Sequence, residues 1–312
     1  MKVNKDFLMK YKSVLGLIVF SVIMAFVNDR FLTLSNVLNI FRQTSINAII
    51  AAGMTFVILT GGIDLSVGSI VAITGAVVAA LIAGGMNVVL AVLIGLITGL
   101  LAGAVNGIII NKGKVQPFIA TLAIMTLLRG ATLVFTKGKP ISIGYEKNAE
   151  IFNKIGAGYF LGIPIPIYIL VAVFIAAYYI LKHTRLGRYT YAIGGNEEAS
   201  KLSGINTQRI KTYIYAISGV LAALAGIIIT ARLSSAQPTA GSGYELDAIA
   251  AVVLGGTSLA GGVGSVIGTV VGALIIGVLS NALNLMNVTS YYQLMAKGIV
   301  ILIAVLLDRK DR

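Results

Sequence analysis

Cysteine is absent from this 312-residue chain, which excludes disulfides, thiolate nucleophiles and cysteine-ligated metal. Histidine occurs once, at His183, so a zinc site built on several imidazoles cannot form. Charge is scarce as well: 11% of residues are charged, against about a quarter in soluble domains. With 57% hydrophobic residues and a mean hydropathy of +0.95, this composition excludes an ordinary soluble fold and indicates an all-α polytopic membrane protein. No Gly-x-x-x-x-Gly-Lys-Ser/Thr loop occurs, since Gly261-Gly262-Val263-Gly264 lacks the lysine, so nucleotide hydrolysis is not expected of this chain. A serine hydrolase also fails, because His183 has no ordered acid partner evident in the sequence. The expectation is a non-catalytic chain with no cofactor and no metal.

What charge there is carries mainly one sign. The net charge is +13, yet Lys and Arg punctuate apolar runs instead of forming a patch, which argues against a nucleic-acid partner. They gather at Lys2, Lys5, Lys10 and Lys12, at Lys112 and Lys114, between Lys182 and Lys211, and at Arg309, Lys310 and Arg312. The runs between them predict about ten transmembrane helices. These are 13–27, a second ending near Thr60, 66–83, 88–110, 116–136, 164–182, 211–232, 245–255, a ninth ending near Met286, and 290–307. The second is expected to follow an interfacial helix start over 31–45, capped at Thr33 or Ser35. The eighth is too short to cross a bilayer unless Glu245 or Asp247 is drawn in. No small-residue cleavage pattern follows Val27, so the first run reads as a helix and not a signal peptide. An even count puts both termini on one side, and the excess of Lys and Arg in alternate loops makes that side cytoplasmic. Residues 1–312 then form a single transmembrane domain, with an extracytoplasmic segment over 137–163 and a cytoplasmic loop over 183–211.

Within that loop, Asn196 is a good N-cap, Glu197 and Glu198 suit the positive end of a helix, and Gly204 supplies a left-handed stop. The result is a helix of about two turns with Ala199 and Leu202 on one face, too short to be stable alone. It reads either as a solvated connector or as a surface that needs a partner. Glycines elsewhere keep helical register. Gly95, Gly99, Gly103 and Gly107 are spaced by four, as are Gly264, Gly268 and Gly272, so each set marks a face packed closely on another helix in lipid. Gly61-Gly62-Ile63-Asp64-Leu65-Ser66 is echoed by Gly255-Gly256-Thr257-Ser258-Leu259-Ala260; such pseudo-repeated helix pairs surround the central path of many transporters.

Ionisable residues inside a membrane are functional candidates by default, here Asp64, Arg129, Glu245, Asp247 and Lys297. Arg129 and Lys297 lie deepest and are poor proton carriers, so helix–helix salt bridges are the favoured role. Asp64 reads as a cap of the third span and as a candidate gate. Asn47, Thr60 and Ser66 are candidate path-lining groups, each equally able to hydrogen-bond between helices.

Four strings, NAIIAAGMTFVILTGGIDLSVGS, HTRLGRY, GGNEEASKLSGI and ARLSSAQPTAGSGYELDAIAAVVLGGTSLAGG, resemble the permease subunits of bacterial ATP-binding-cassette importers for monosaccharides, ribose carriers above all. The resemblance runs from Asn36 to Leu307. It implies a homodimer in the bacterial inner membrane, an ATPase subunit on a separate chain, an extracytoplasmic sugar-binding protein, and a monosaccharide passing by alternating access. Glu197, Glu198, Ala199 and Gly204 stand where the family's Glu-Ala-Ala…Gly-type pattern lies, which makes Asn196 to Ile205 the expected ATPase-coupling helix. The rivals are an ion-gradient-coupled secondary transporter, which needs an exposed midplane carboxylate, and a membrane enzyme, which needs a clustered acid, base and nucleophile.

Overall fold

A computed structural model describes residues 12–308. The basic ends expected inside, Lys2 to Lys10 and Arg309 to Arg312, lie outside the described residues. The helices are α1 (Lys12–Val27), α2 (Leu34–Leu59), α3 (Val67–Ala83), α4 (Val88–Gly113), α5 (Pro117–Thr136), α6 (Lys147–Ala157), α7 (Ile165–His183), α8 (Arg185–Gly195), α9 (Glu197–Leu202), α10 (Thr207–Leu233), α11 (Tyr244–Leu254), α12 (Val266–Leu285) and α13 (Ser290–Asp308). Two-residue strands form two small antiparallel pairs, β1 (Ile141–Ser142) with β4 (Ser235–Ala236) and β2 (Tyr159–Phe160) with β3 (Ile163–Pro164). Each expected membrane stretch coincides with a helix, and among the described residues six helices, α2, α4, α5, α7, α10 and α12, are long and apolar enough to cross a membrane.

Local chemistry fixes the ends. Thr33, Asn87, Asn206 and Ser265 each accept a hydrogen bond from a first-turn amide of the helix that follows, removing one orphan donor. The Thr33 cap opens one continuous helix of 26 residues, so the expected interfacial start over 31–45 is simply the first part of a span.

α2 and α10 form the centre. Gly53 of α2 lies against the backbone of Ser218 in α10, Gly75 of α3 against Thr230, and Gly226 of α10 against Val71. α4 runs antiparallel along another side of α10: Gly95 meets Ile227, Gly99 meets Gly219 and Ala223, Gly103 meets the Tyr215 carbonyl, and Gly107 meets Thr212. The opposite face of α4 exposes Leu93, Ile97 and Leu101. A helix that buries glycine and presents leucine outward is inverted relative to a soluble protein, and lipid is the solvent in which that arrangement is stable. α12 packs on α2 and α11, while α1 lies against α12 through Met24, Val278 and Ala282.

The elements separate to two ends. At one, α6, the Gly84–Gly85 turn and the β1–β4 pair meet, with Asn148 donating to the Gly85 carbonyl at 3.0 Å. At the other, α8, α9, the turn over 255–264 and the end of α4 meet, with Asn111 donating to Gln208 O at 2.9 Å. We call these the mouth end and the junction end.

α11 departs from the spanning helix expected over 245–255. It has 11 residues, about 16 Å of rise, half a bilayer. After β4 the chain reaches its start through an irregular segment, 237–243, that dips in from the mouth end to lie against Gly68. Irregular backbone at membrane depth needs partners inside the protein. Arg129 of α5 provides them, donating from Nη1 to Pro238 O at 3.0 Å and Ala240 O at 2.8 Å. The salt bridge expected for Arg129 is therefore corrected: its hydrogen-bond partners are two carbonyls.

Candidate functional site: a cavity and a junction

The two echoed turns touch. Gly262 N donates to Leu59 O at 2.9 Å, and Gly61 lies against the Ala260 carbonyl. Gly194 of α8 sits on both, so close to Leu59 O and Gly262 that no side chain fits there. Tyr191 Oη donates to Gly264 O at 2.9 Å. α8, absent from the sequence reading of the loop, thus ties the 183–211 segment to the seam between the two pseudo-repeats. Its signal was the run Leu186, Tyr189, Thr190, Ile193, spaced for one helical face.

α9 follows as expected. Asn196 Oδ1 accepts from Ala199 N at 2.9 Å, and Gly204 closes the turn at φ +82°. Glu197 bonds Lys211 of α10, accepts from Thr207 Oγ1 at 3.2 Å, and faces Lys201 at 3.5 Å. Burial pushes the Glu197 carboxyl up, but Lys211 and Lys201 outweigh it and hold it below its ordinary value. Glu198 pairs with Lys201 at 2.8 Å. Ala199 and Leu202 are exposed, Leu202 at 89%, so the apolar face of α9 is unpartnered among the described residues.

Asp64, Ser66 and Thr60 are placed in packing, away from the cavity described below. Asp64 is fully buried in the unwound stretch before α3 and accepts from Ser66 N at 3.1 Å, Ser66 Oγ at 2.6 Å, Ser218 Oγ at 3.0 Å and Asn106 Nδ2 at 3.5 Å. It is not the N-cap of α3; that position is Ser66. Asp64 instead binds the α2–α3 connection to α4 and α10. Thr60 Oγ1 donates to Val57 O at 2.7 Å and is buried. Gly264 packs on Thr257, Gly268 on the Gly255 carbonyl and Gly272 on the Ala251 carbonyl, which seats α12 on α11.

Asn47, another of the candidate lining groups, reaches a polar-walled cavity. That cavity, about 210 Å³, lies between α2, α10, α11, α12 and α13, with Gln43, Thr44, Asn47, Arg232, Tyr244, Asp247, Ser280 and Lys297 on its wall. Lys297 Nζ donates to Asp247 Oδ2 at 2.7 Å, the helix–helix ion pair expected for this lysine, and Asn47 Nδ2 donates to the same oxygen at 3.1 Å. Toward the mouth end, a groove of about 860 Å³ is lined by Arg30, Asn36, Asn39, Arg42 and Tyr159, among others. Asn36, Asn39, Gln43 and Asn47 form one polar stripe along α2, by their three- and four-residue spacing. Sequence reading singled out Asn47 and missed the stripe, although its spacing was visible.

A polar groove and a polar-walled cavity thus lie along the first half of α2. Residues 36–305 match the family described as branched-chain amino acid transport system / permease component. The chain belongs to this family. The permease is 58% identical over 302 residues to the ribose import permease protein RbsC of Haemophilus influenzae, covering 97% of this chain and 94% of that one. It is 57% identical over 309 residues to RbsC of Escherichia coli K12 (99% and 96%) and 59% identical over 297 residues to RbsC of Bacillus subtilis (95% and 91%). No solved structure gives a significant match.

Proposed function

We propose that this permease is the membrane subunit of an ATP-binding-cassette importer that carries a monosaccharide, ribose, into the bacterial cytoplasm. Full-length identity near 58% to ribose import permeases supports the substrate class. The observation that carries the mechanism is the seating of α8 on the joined turns at Leu59, Gly194 and Gly262. A partner that grips α9 and moves it would move the contact between both pseudo-repeats, because a glycine-tight backbone contact transmits displacement without slack. α9 is the coupling helix in this reading, with Asn196 and Glu197 fixing it, Gly204 ending it, and Ala199, Glu198 and Leu202 presented to the ATPase. The junction end is cytoplasmic and the mouth end, with 137–163, receives the sugar-binding protein. About ten helices then cross or half-cross the membrane, both termini are cytoplasmic, and two copies pair as a homodimer.

The test is uptake of radiolabelled ribose into vesicles holding the permease with its ATPase and binding protein. With ion gradients collapsed, uptake is expected to require ATP. Leu202→Asp, at an exposed position, is expected to lower uptake at least about tenfold, the range of a lost interface anchor, with the permease still folded. Gradient-driven uptake without the ATPase would overturn the reading in favour of a secondary transporter.

A further inference from the structure

We propose that the junction end of α7 binds the headgroup of an anionic phospholipid, through Lys182 with Tyr178, Tyr179 and His183. α7 has two faces. Leu170, Phe174, Ala177 and Leu181 are buried in the bundle, while Tyr168, Val171, Ile175 and Tyr179 are exposed along the other side. Its nineteen residues rise about 28 Å, close to the thickness of a bilayer's hydrocarbon core. The free face carries aromatic rings at both ends and aliphatic side chains between. At the mouth end Tyr168 meets Phe160 edge-on, with ring centres 5.8 Å apart; at the junction end Tyr179 stacks on His183 at 5.4 Å. Amphipathic rings sorted to the two boundaries mark a surface that faces lipid, since they sit at headgroup level.

That face sets the occupant as lipid, and charge selects its headgroup. Lys182 is exposed, yet its Nζ donates to Tyr178 Oη at 2.8 Å and lies 5.2 Å from the centre of that ring. Tyr178 in turn meets His183 edge-on at 6.1 Å. The lysine is held against the helix end beside the aromatic cluster. An ammonium has three N–H donors, and a phenol that accepts one keeps its own O–H, so the pair still has donors to offer. Ion pairs among the described residues engage Lys201, Lys211 and Lys297; Lys182, Arg185 and Arg188, all exposed, take part in none. The chemistry that answers donors and uncompensated positive charge at this depth is a lipid phosphodiester. A zwitterionic headgroup offers the same phosphate but brings a cation that the ammonium repels. The site stands at an elbow: Thr184 Oγ1 donates to Ile180 O at 2.7 Å, and Gly187 lies so close to the Ile180 and Leu181 carbonyls that no side chain fits. A headgroup at Lys182 therefore sits at the root of the 183–211 segment, and only this link to coupling rests on the importer reading.

The chain has no tryptophan, so Ile175→Trp, one turn from Tyr179 on the free face, supplies a single reporter of the lipid beside the site. The full-length protein is reconstituted in vesicles of phosphatidylcholine and phosphatidylglycerol, with one or the other carrying dibrominated chains, and fluorescence quenching gives their relative affinity. Phosphatidylglycerol is expected to be favoured roughly fivefold, the effect of one cation near the membrane surface. Adding Lys182→Gln should bring the ratio near one, and Lys182→Arg should keep it; elution volume reports folding. Ile97→Trp, on the exposed face of α4, should give a ratio near one throughout. A ratio near one at Ile175→Trp, the same preference at Ile97→Trp, or a preference that Lys182→Gln leaves intact would overturn the proposal. So would absence of quenching by either lipid, the result of a second copy covering this face. Loss of the preference in inorganic phosphate, against chloride at equal ionic strength, would also overturn it in favour of a site for free anions. Gradient-driven uptake without the ATPase would instead bring down the importer reading and leave the lipid site standing.

Discussion

The two halves of α2 have different solvents. From Leu34 to Asn47 the helix carries a stripe of Asn and Gln, borders a groove and a cavity, and leaves buried polar atoms unpaired. From Ala48 to Thr60 every residue is buried, and the helix is gripped by α10 at Gly53 and by α12 through the Thr55–Thr269 hydroxyl contact at 2.8 Å. In the proposed importer this helix lines the path with its first half and seals it with its second. The sealed half lies nearest the junction that α8 and α9 rest on, so the part that must open is the part closest to the proposed drive.

The comparison breaks most severely at the dry seam. Gly103→Leu would force a branched side chain into the Tyr215 carbonyl, backbone that cannot yield. We expect loss of the monodisperse peak in detergent, whereas Asn39→Leu in the wet half should keep it. Next comes the boundary between the halves. Asp247→Ala strands Lys297 inside the protein, and breaking a buried pair costs about 3–5 kcal/mol. Thermal unfolding should register the single change strongly, and the double variant Asp247→Leu with Lys297→Met should recover much of the loss. Arg129→Met removes two charge-assisted bonds to the irregular segment, about 1.5–3 kcal/mol for each; partial compensation by neighbouring groups would lower the total. Amide exchange over 237–243 is expected to rise while the α4–α10 seam stays protected.

The smallest effect concerns Glu197. Its carboxyl titrates below the ordinary value near 4.5 because Lys211 and Lys201 outweigh burial, so its tether is complete above that pH and is lost as pH falls through the lowered value. Protection of α9 amides, corrected for intrinsic rates, should hold from neutrality to about the ordinary carboxylate range and then fall. A decline setting in between pH 8 and 6 would contradict the assignment.

What could be read from the sequence was what depends on neighbours in sequence. The four-residue glycine spacing marked the face that α4 turns to α10, and Asn196 with Gly204 bounded α9, because register and caps are local. The irregular segment over 237–243 falls, in the sequence, only in the gap between the runs 211–232 and 245–255, since its stability depends on Arg129, more than a hundred residues away. The cavity was equally hidden: Asn47, Asp247 and Lys297 meet across separations of 50 and 200 residues. Asp64 was misread as a cap because the motif looks like a helix start, whereas Asn106 and Ser218 claim its oxygens from other helices.

Absence of cysteine gives the most direct test of the wet and dry halves. Single cysteines at Asn39, Gln43, Ala51 and Met54 can be probed with a membrane-impermeant thiol reagent added from the extracytoplasmic side of vesicles containing the assembled importer. We predict labelling at 39 and 43 at rest, and none at 51 and 54 until ATP is hydrolysed in the presence of loaded binding protein. Labelling of 51 and 54 at rest, or labelling of 39 and 43 only from the cytoplasmic side, would contradict a path that is open at the mouth and sealed at the junction.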